Sequence, residues 1–301
     1  MTDVPPDRYR LEHHNLSLTV STIGGRVTAF NYQTAEGVLE LLRPAQAYEE
    51  ENDVSRALSS SMFPLVPYCN RVAGNTLRHG DKTWTLSPNF GDEPLACHGD
   101  GWTRTWQVTS QTANTLEMVL EHPHADPYTY RTTQTFTLSN DTLEVNLAVT
   151  NLADETMPFG LGFHPYFWRH PELTVRFAAD YVWLEGPSHL PSEALRVPTE
   201  LDFHRSQGLT NVWRNLCYSG WQGTASLAYP TYRLDMRSSA SHLMLFTPPD
   251  ENYVCLEPMT HAVDAFSGRL SGLSVPFDMG ERSLAAGEML ETNLSFTVAL
   301  Q

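Results

Sequence analysis

Apolar residues recur at every second position over several stretches of this chain. Leu16, Leu18 and Val20 alternate with Ser17 and Thr19, and Gly24-Gly25 then signals a turn. Leu116, Met118 and Leu120 alternate with polar neighbours that include Glu117 and Glu121. In YRTTQTFTLSNDTLEVNLAVTN, Phe136 and Leu138 close one strand and Ser-Asn-Asp turns the chain. Leu143, Val145, Leu147 and Val149 then form one face of the next strand. Near the C-terminus Leu290, Leu294, Phe296, Val298 and Leu300 face one way, against Glu291, Asn293, Ser295 and Thr297. Side chains alternate across a strand, so period two predicts antiparallel strands with one face buried.

Helical periodicity is thin. PAQAYEEENDVSRALSS (44–60) predicts one short helix. The 20 prolines and 18 glycines are spread as turn punctuation and do not gather into a linker. With no composition break and no strict repeat, the chain is expected to form one mainly β sandwich domain over residues 1–301.

Composition narrows the partners. Hydrophobic content of 41% and charged content of 18% suit a folded protein. The balance of 19 basic against 35 acidic residues, net −16, disfavours nucleic acid and anionic membranes. It suits a neutral or cationic ligand. The first residues, MTDVPPDRYR, carry no export signal, and no run approaches the roughly 18 apolar residues of a membrane helix. A cytoplasmic monomer or homodimer is the expectation. The four cysteines, Cys69, Cys97, Cys217 and Cys255, form no CxxC pair and are expected as free, buried thiols.

Four stretches combine charge or imidazole with turn residues and aromatics. Asn70-Arg71 precedes a Gly-Asn turn, and arginine offers a rigid fork of donors for hydroxyls or carboxylates. His98-Gly99 opens a Gly-rich loop that can approach a ligand closely. His164 sits inside GLGFHPYFWRH, the most aromatic run of the chain. Glu257 follows the apolar Val254-Cys255-Leu256, where a carboxylate is costly unless it is paired or functional. A separate His122-Pro-His124-Ala-Asp126 run could suggest a cupin-like metal site, but a matching downstream glutamate is missing.

The ordered set resembles the aldose 1-epimerase (mutarotase) family of the galactose mutarotase type. The matching positions are Asn70-Arg71, Gly80, Trp84, Leu86, Asn89, His98-Gly99 and Trp106-x-Val108. They continue with GLGFHPYF at 160–167, Glu257-Pro258 and Thr260, so the likeness runs from about residue 15 to residue 298. The resemblance implies an antiparallel β-supersandwich with an open cleft. It implies a general base at Glu257 and a general acid at His164. Asn70, Arg71 and His98 would hold sugar oxygens, and no metal or cofactor would be needed. In RNLCYSGWQG, Asn215 stands where the family usually carries Asp, and Gln222 replaces another common Asp. Asn215 is therefore the expected hydroxyl-binding residue, with a neutral amide in place of a charge.

Glutamate burial would raise its pKa and a nearby imidazolium would lower it, so no net shift is expected at Glu257. Phe167 or Trp102 could lie against a sugar face. Two alternatives share the fold. One is a non-catalytic carbohydrate-binding or sensing protein. The other is an epimerase for a phosphorylated or sulfonated sugar, served by Arg78 or Arg104.

Overall fold

A computed structural model describes residues 7–46, 53–122, 127–273 and 275–301. The chain is built mostly of antiparallel strands. A nine-stranded and an eleven-stranded sheet carry most of them. The alternating stretches named above are strands: Leu16–Ser21, Thr115–His122, Tyr130–Ser139, Thr142–Asn151 and Met289–Leu300. The last four lie in the nine-stranded sheet. Leu138 pairs with Leu143 across the predicted turn, where Asn140 takes a left-handed φ of 48°. Asparagine tolerates that conformation in a two-residue hairpin.

The apolar face of the nine-stranded sheet meets the eleven-stranded sheet in the main core. Phe296 contacts Phe30 at 6.3 Å and Phe167 at 5.8 Å between ring centroids. The C-terminal strand outruns this core. Leu294, Phe296 and Val298 are buried, but Leu290 is only half-buried and Leu300 is 53% exposed. The helix expected within 44–60 is the single turn and a half Asp53–Leu58. Residues 47–52 lie outside the described residues. Among the described residues no helix is long and apolar enough to cross a membrane.

Six strands of the eleven-stranded sheet position the site. In chain order they are β1 (Met62–Leu65), β2 (Gly162–Trp168), β3 (Tyr181–Glu185), β4 (Arg214–Ser219), β5 (His242–Thr247) and β6 (Tyr253–Met259). They lie side by side in the order β1-β2-β6-β5-β4-β3. One face of these strands sends Phe163, Phe167, Leu243, Leu245, Val254 and Leu256 into the main core. The other face carries a second cluster with Phe63, Tyr166, Trp183, Cys217, Met244 and Cys255. Burial on both faces explains why these strands are apolar without clean alternation.

Candidate active site

The sheet register assembles the site. Phe63 pairs with His164, and the count between the pairs Gly162–Met259 and Tyr166–Cys255 puts His164 opposite Glu257. The same rung runs on through Met244 and Cys217 to Trp183. Two residues along, the next rung holds Tyr166, Cys255, Phe246 and Asn215. Rung neighbours share a face, so residues far apart in sequence converge on one surface. There the six predicted residues, Asn70, Arg71, His98, His164, Asn215 and Glu257, line a single cleft of about 330 Å³.

Asn70 and His98 come from two loops that grip each other. The His98 N–H donates to the Asn70 carbonyl at 3.0 Å. In return the Asn70 N–H donates to His98 Nδ1 at 3.1 Å. Both residues are left-handed, with φ of 57° and 64°. Non-glycine residues held there are strained, and such strain gathers at functional sites. Gly99 is required next to them, because a Cβ would lie 2.1 Å from the Val66 carbonyl oxygen. Asn89 clamps the same loop through the Cys97 and Gly99 carbonyls and the Cys97 N–H.

The glycines around His164 serve the scaffold more than a ligand. A Cβ on Gly160 would meet the His261 ring at 2.1 Å, and one on Gly162 the Pro258 carbonyl at 2.7 Å. They let β2 approach β6 and its following turn. The imidazole of His164 lies against the rings of both Phe63 and Tyr166, at 4.6 and 4.7 Å and within 25° of parallel, and the two rings are themselves 6.2 Å apart.

His164 Nε2 lies 3.3 Å from Glu257 Oε1. Burial pulls the His164 pKa down to about 3. Burial also pushes the Glu257 carboxyl up to about 8, against the pull of Arg71. The expected absence of a net shift at Glu257 is thus overturned. A neutral His164 supplies no positive charge to oppose desolvation. Near neutral pH the pair holds one proton, on the carboxyl side. Among the described residues, Glu257 Oε2, His164 Nδ1 and Arg71 Nε are buried with no hydrogen-bond partner. Buried polar atoms are rarely left so, and three in one cleft mark places for an incoming polar ligand.

His98, His164 and Glu257 lie close enough to share a metal ion, with ligand atoms within 4.8 Å of one another. The donor set does not fit one. Nδ1 of His98 accepts from the Asn70 N–H, so its proton resides on Nε2, where a metal would need a lone pair. Burial, with the Arg71 charge nearby, keeps the His98 imidazole neutral, so it acts as a hydrogen-bond donor.

Other expectations shift. Phe167 is in the inter-sheet core, and Trp102 stacks on Phe63 at 5.4 Å with no exposed surface. Among the described residues, the aromatics that do line the cleft are Phe90, Tyr166, Trp213, Phe246 and Tyr253. Arg78 is bound to the Ser267 carbonyl, and Arg104 is paired with Asp100, both outside the cleft. The cationic lining is Arg71 and Arg43, the latter held by the Leu58 and Ser60 carbonyls and stacked 4.1 Å from the Tyr166 ring centre. Glu93 and Glu251 face the same space, which weakens the case for an anionic sugar. Arg43, His189 and Trp213 carry no motif and escape a reading of the sequence. Gln222 lies away from the cleft. His122 is bound to Asp100 at 2.9 Å, while His124 and Asp126 lie outside the described residues. All four cysteines are free and buried, and burial pushes Cys97, beside His98, up to about 12, so it is no nucleophile.

A mainly antiparallel supersandwich with this cleft defines a class, and comparison with known proteins agrees. The aldose 1-epimerase family model matches residues 7–285, and the chain belongs to that family. It is 37% identical over 268 residues to the uncharacterized protein YphB of Escherichia coli K12, covering 85% of this chain and 89% of that one. The crystal structure of a putative aldose 1-epimerase from Escherichia coli K12 superposes with a TM-score of 0.87 at 35% identity, covering 98% and 99% of the two chains. A galactose mutarotase-like protein from Clostridium acetobutylicum shares the fold at TM-score 0.83 and 18% identity, over 97% and 95% of the chains.

Proposed function

We propose that this protein is an aldose 1-epimerase that interconverts the α and β anomers of an aldose, with Glu257 as base and His164 as acid. The observation that carries this is the buried Glu257–His164 pair, 3.3 Å apart on the floor of a cleft with unpartnered polar atoms, where burial favours the neutral form with one proton on the carboxyl. A protein that only binds sugar has no use for two desolvated titratable groups whose pKa values are pushed so far apart.

The chemistry balances on that proton. The anomeric hydroxyl donates to the free Oε2 of Glu257 and favours its carboxylate, aided by Arg71, while the proton of the pair moves to His164. Glu257 then takes the O1 proton, the C1–O5 bond breaks, and His164 protonates the ring oxygen. The product is the open-chain aldehyde. The pair is back in its neutral form, carboxyl plus neutral imidazole, which is the form that burial favours. Rotation about C1–C2 presents the other carbonyl face. His164 then removes the O5 proton, O5 attacks C1, and Glu257 returns a proton to O1. His98, Arg71, Asn70 and Asn215 would orient the hydroxyls, with no redox step.

Anomer exchange followed by polarimetry or NMR on a panel of aldoses tests this. The expected result is acceleration for at least one neutral aldose. No acceleration for any of them, with sugar binding retained, would favour a sensor.

A further inference from the structure

The family's usual acid is missing at position 215, and the fold supplies a carboxylate behind it. Glu185, at the end of β3, falls opposite Asn215 when the Trp183–Cys217 pair is extended by two residues. Asn215 Nδ2 donates to Glu185 Oε1 at 2.7 Å. The Trp213 indole N–H donates to Oε2 at 2.6 Å, and His189 Nδ1 lies 2.6 Å from Oε1. An ionised carboxylate only accepts, so the amide of Asn215 has one possible orientation, with Oδ1 turned away from Glu185.

The partners of Glu185 belong to the cleft. Asn215, His189 and Trp213 all line it. Trp213 is 46% exposed at its mouth, with its ring 5.7 Å from His189 and edge-on to Phe246 at 5.3 Å. The turn that presents His189 is strained, because Ser188 and His189 are both left-handed at φ of 57° and 58°. Consecutive non-glycine residues in that region persist only where surroundings hold them.

We propose that Glu185 is a specificity-determining positioning residue: it locks Asn215 with its carbonyl oxygen toward the sugar and holds Trp213 and His189 over the cleft mouth. The negative charge has moved one residue back from the sugar, and the acceptor that meets the hydroxyl is neutral. Substrates are then neutral aldoses with a hydroxyl, a donor, at the ring position that meets Asn215. Burial opposes the charge on Glu185, yet its three donors hold its pKa below the ordinary value, so the carboxylate persists near neutrality. This proposal rests on the epimerase reading of the same cleft.

Paired substitutions test it. Glu185→Gln cannot accept from both Asn215 and Trp213, so KM should rise about tenfold with kcat within about twofold. Asn215→Asp restores the residue usual in the family but sets two carboxylates against each other. Its KM should rise with pH as the second proton is lost. Combining the two should bring KM back to within about threefold of the wild type and remove that pH dependence, because a glutamine amide can donate to Asp while accepting from Trp213. Melting curves of the same four proteins report the contact without any sugar. Asn215→Asp should lower Tm at pH 8 more than at pH 5, and the double variant should not. An unchanged KM in both single variants, or a double variant no better than either, overturns the proposal. A wild type that turns over no aldose overturns the epimerase reading and this proposal with it.

Discussion

The nine-stranded sheet and the site-bearing strands of the eleven-stranded sheet solve different problems with the same backbone. In the first, strands such as Thr142–Asn151 bury Leu143, Val145, Leu147 and Val149 and leave the intervening Glu144 and Asn146 exposed. Each of those four buried side chains contributes about 1.5–3 kcal/mol, and all four are apolar. In the second, β2 and β6 are buried on both faces, and one of those faces holds His164 and Glu257. The first region stores stability. The second sets a desolvated carboxyl against a desolvated imidazole on the floor of a cleft, whereas the unpartnered atoms that the first buries, on Gln134 and His122, lie away from that cleft. The lesson is that the main core supports a site which is itself unfavourable for folding.

Substitutions should separate the two. The largest effect on catalysis is expected from Glu257→Gln, which should slow anomer exchange by about 10³-fold or more while the protein stays folded. Near-normal exchange in that variant would sink the assignment of the base. His164→Asn should cost about 10²–10³-fold in kcat, and little change would move the acid to His98. In the other region Phe136→Ala should cost about 3–5 kcal/mol in denaturant unfolding, with the folded fraction keeping the wild-type kcat.

The pH dependence sharpens the contrast. The one-proton state of the pair spans about 3 to about 8, so kcat/KM should fall tenfold per pH unit above about 8. Stability follows from the same groups. Glu257 rises from an ordinary 4.5 to about 8 when folded, so its contribution is full below 4.5 and lost as pH rises to 8. His164 falls from an ordinary 6.5 to about 3, so its contribution is full above 6.5 and lost toward 3. Together they favour the folded state most between pH 4.5 and 6.5. From pH 5.5 to 9 the Tm of Glu257→Gln should gain on the wild type by about 5 °C. An equal Tm difference at both pH values would contradict the raised pKa. The smallest effect is expected at Thr297→Val, which loses only the exposed hydroxyl contact to Thr142. It should stay within about 0.5 kcal/mol and leave the rate unchanged.

The same division explains what the chain discloses by itself. Period two reveals the strands around Leu116, Phe136, Val145 and Phe296, because one side of each is polar. It is silent on β2 and β6, where both sides are buried. There only the ordered dipeptides and GLGFHPYF point to the site. The convergence of Arg71, His98, His164 and Glu257 on one cleft follows from strand register and loop pairing, which no local pattern encodes. Glu185 is invisible for the same reason, since its link to Asn215 crosses two strands 30 residues apart. The raised pKa of Glu257 is not legible in the sequence, because the charge state of His164 depends on burial, a tertiary property.

The single proton shared by Glu257 and His164 has a further consequence. Ring opening and closing return the pair to its starting inventory, so the cycle is closed with respect to hydrogen ions. Turnover should be indifferent to buffer concentration. A deuteron carried in on the anomeric oxygen should be traded among O1, Glu257, His164 and O5 before it meets solvent. The sugar then leaves with its hydrogens redistributed among its own oxygens, and the reaction itself requires no net uptake or release of solvent protons.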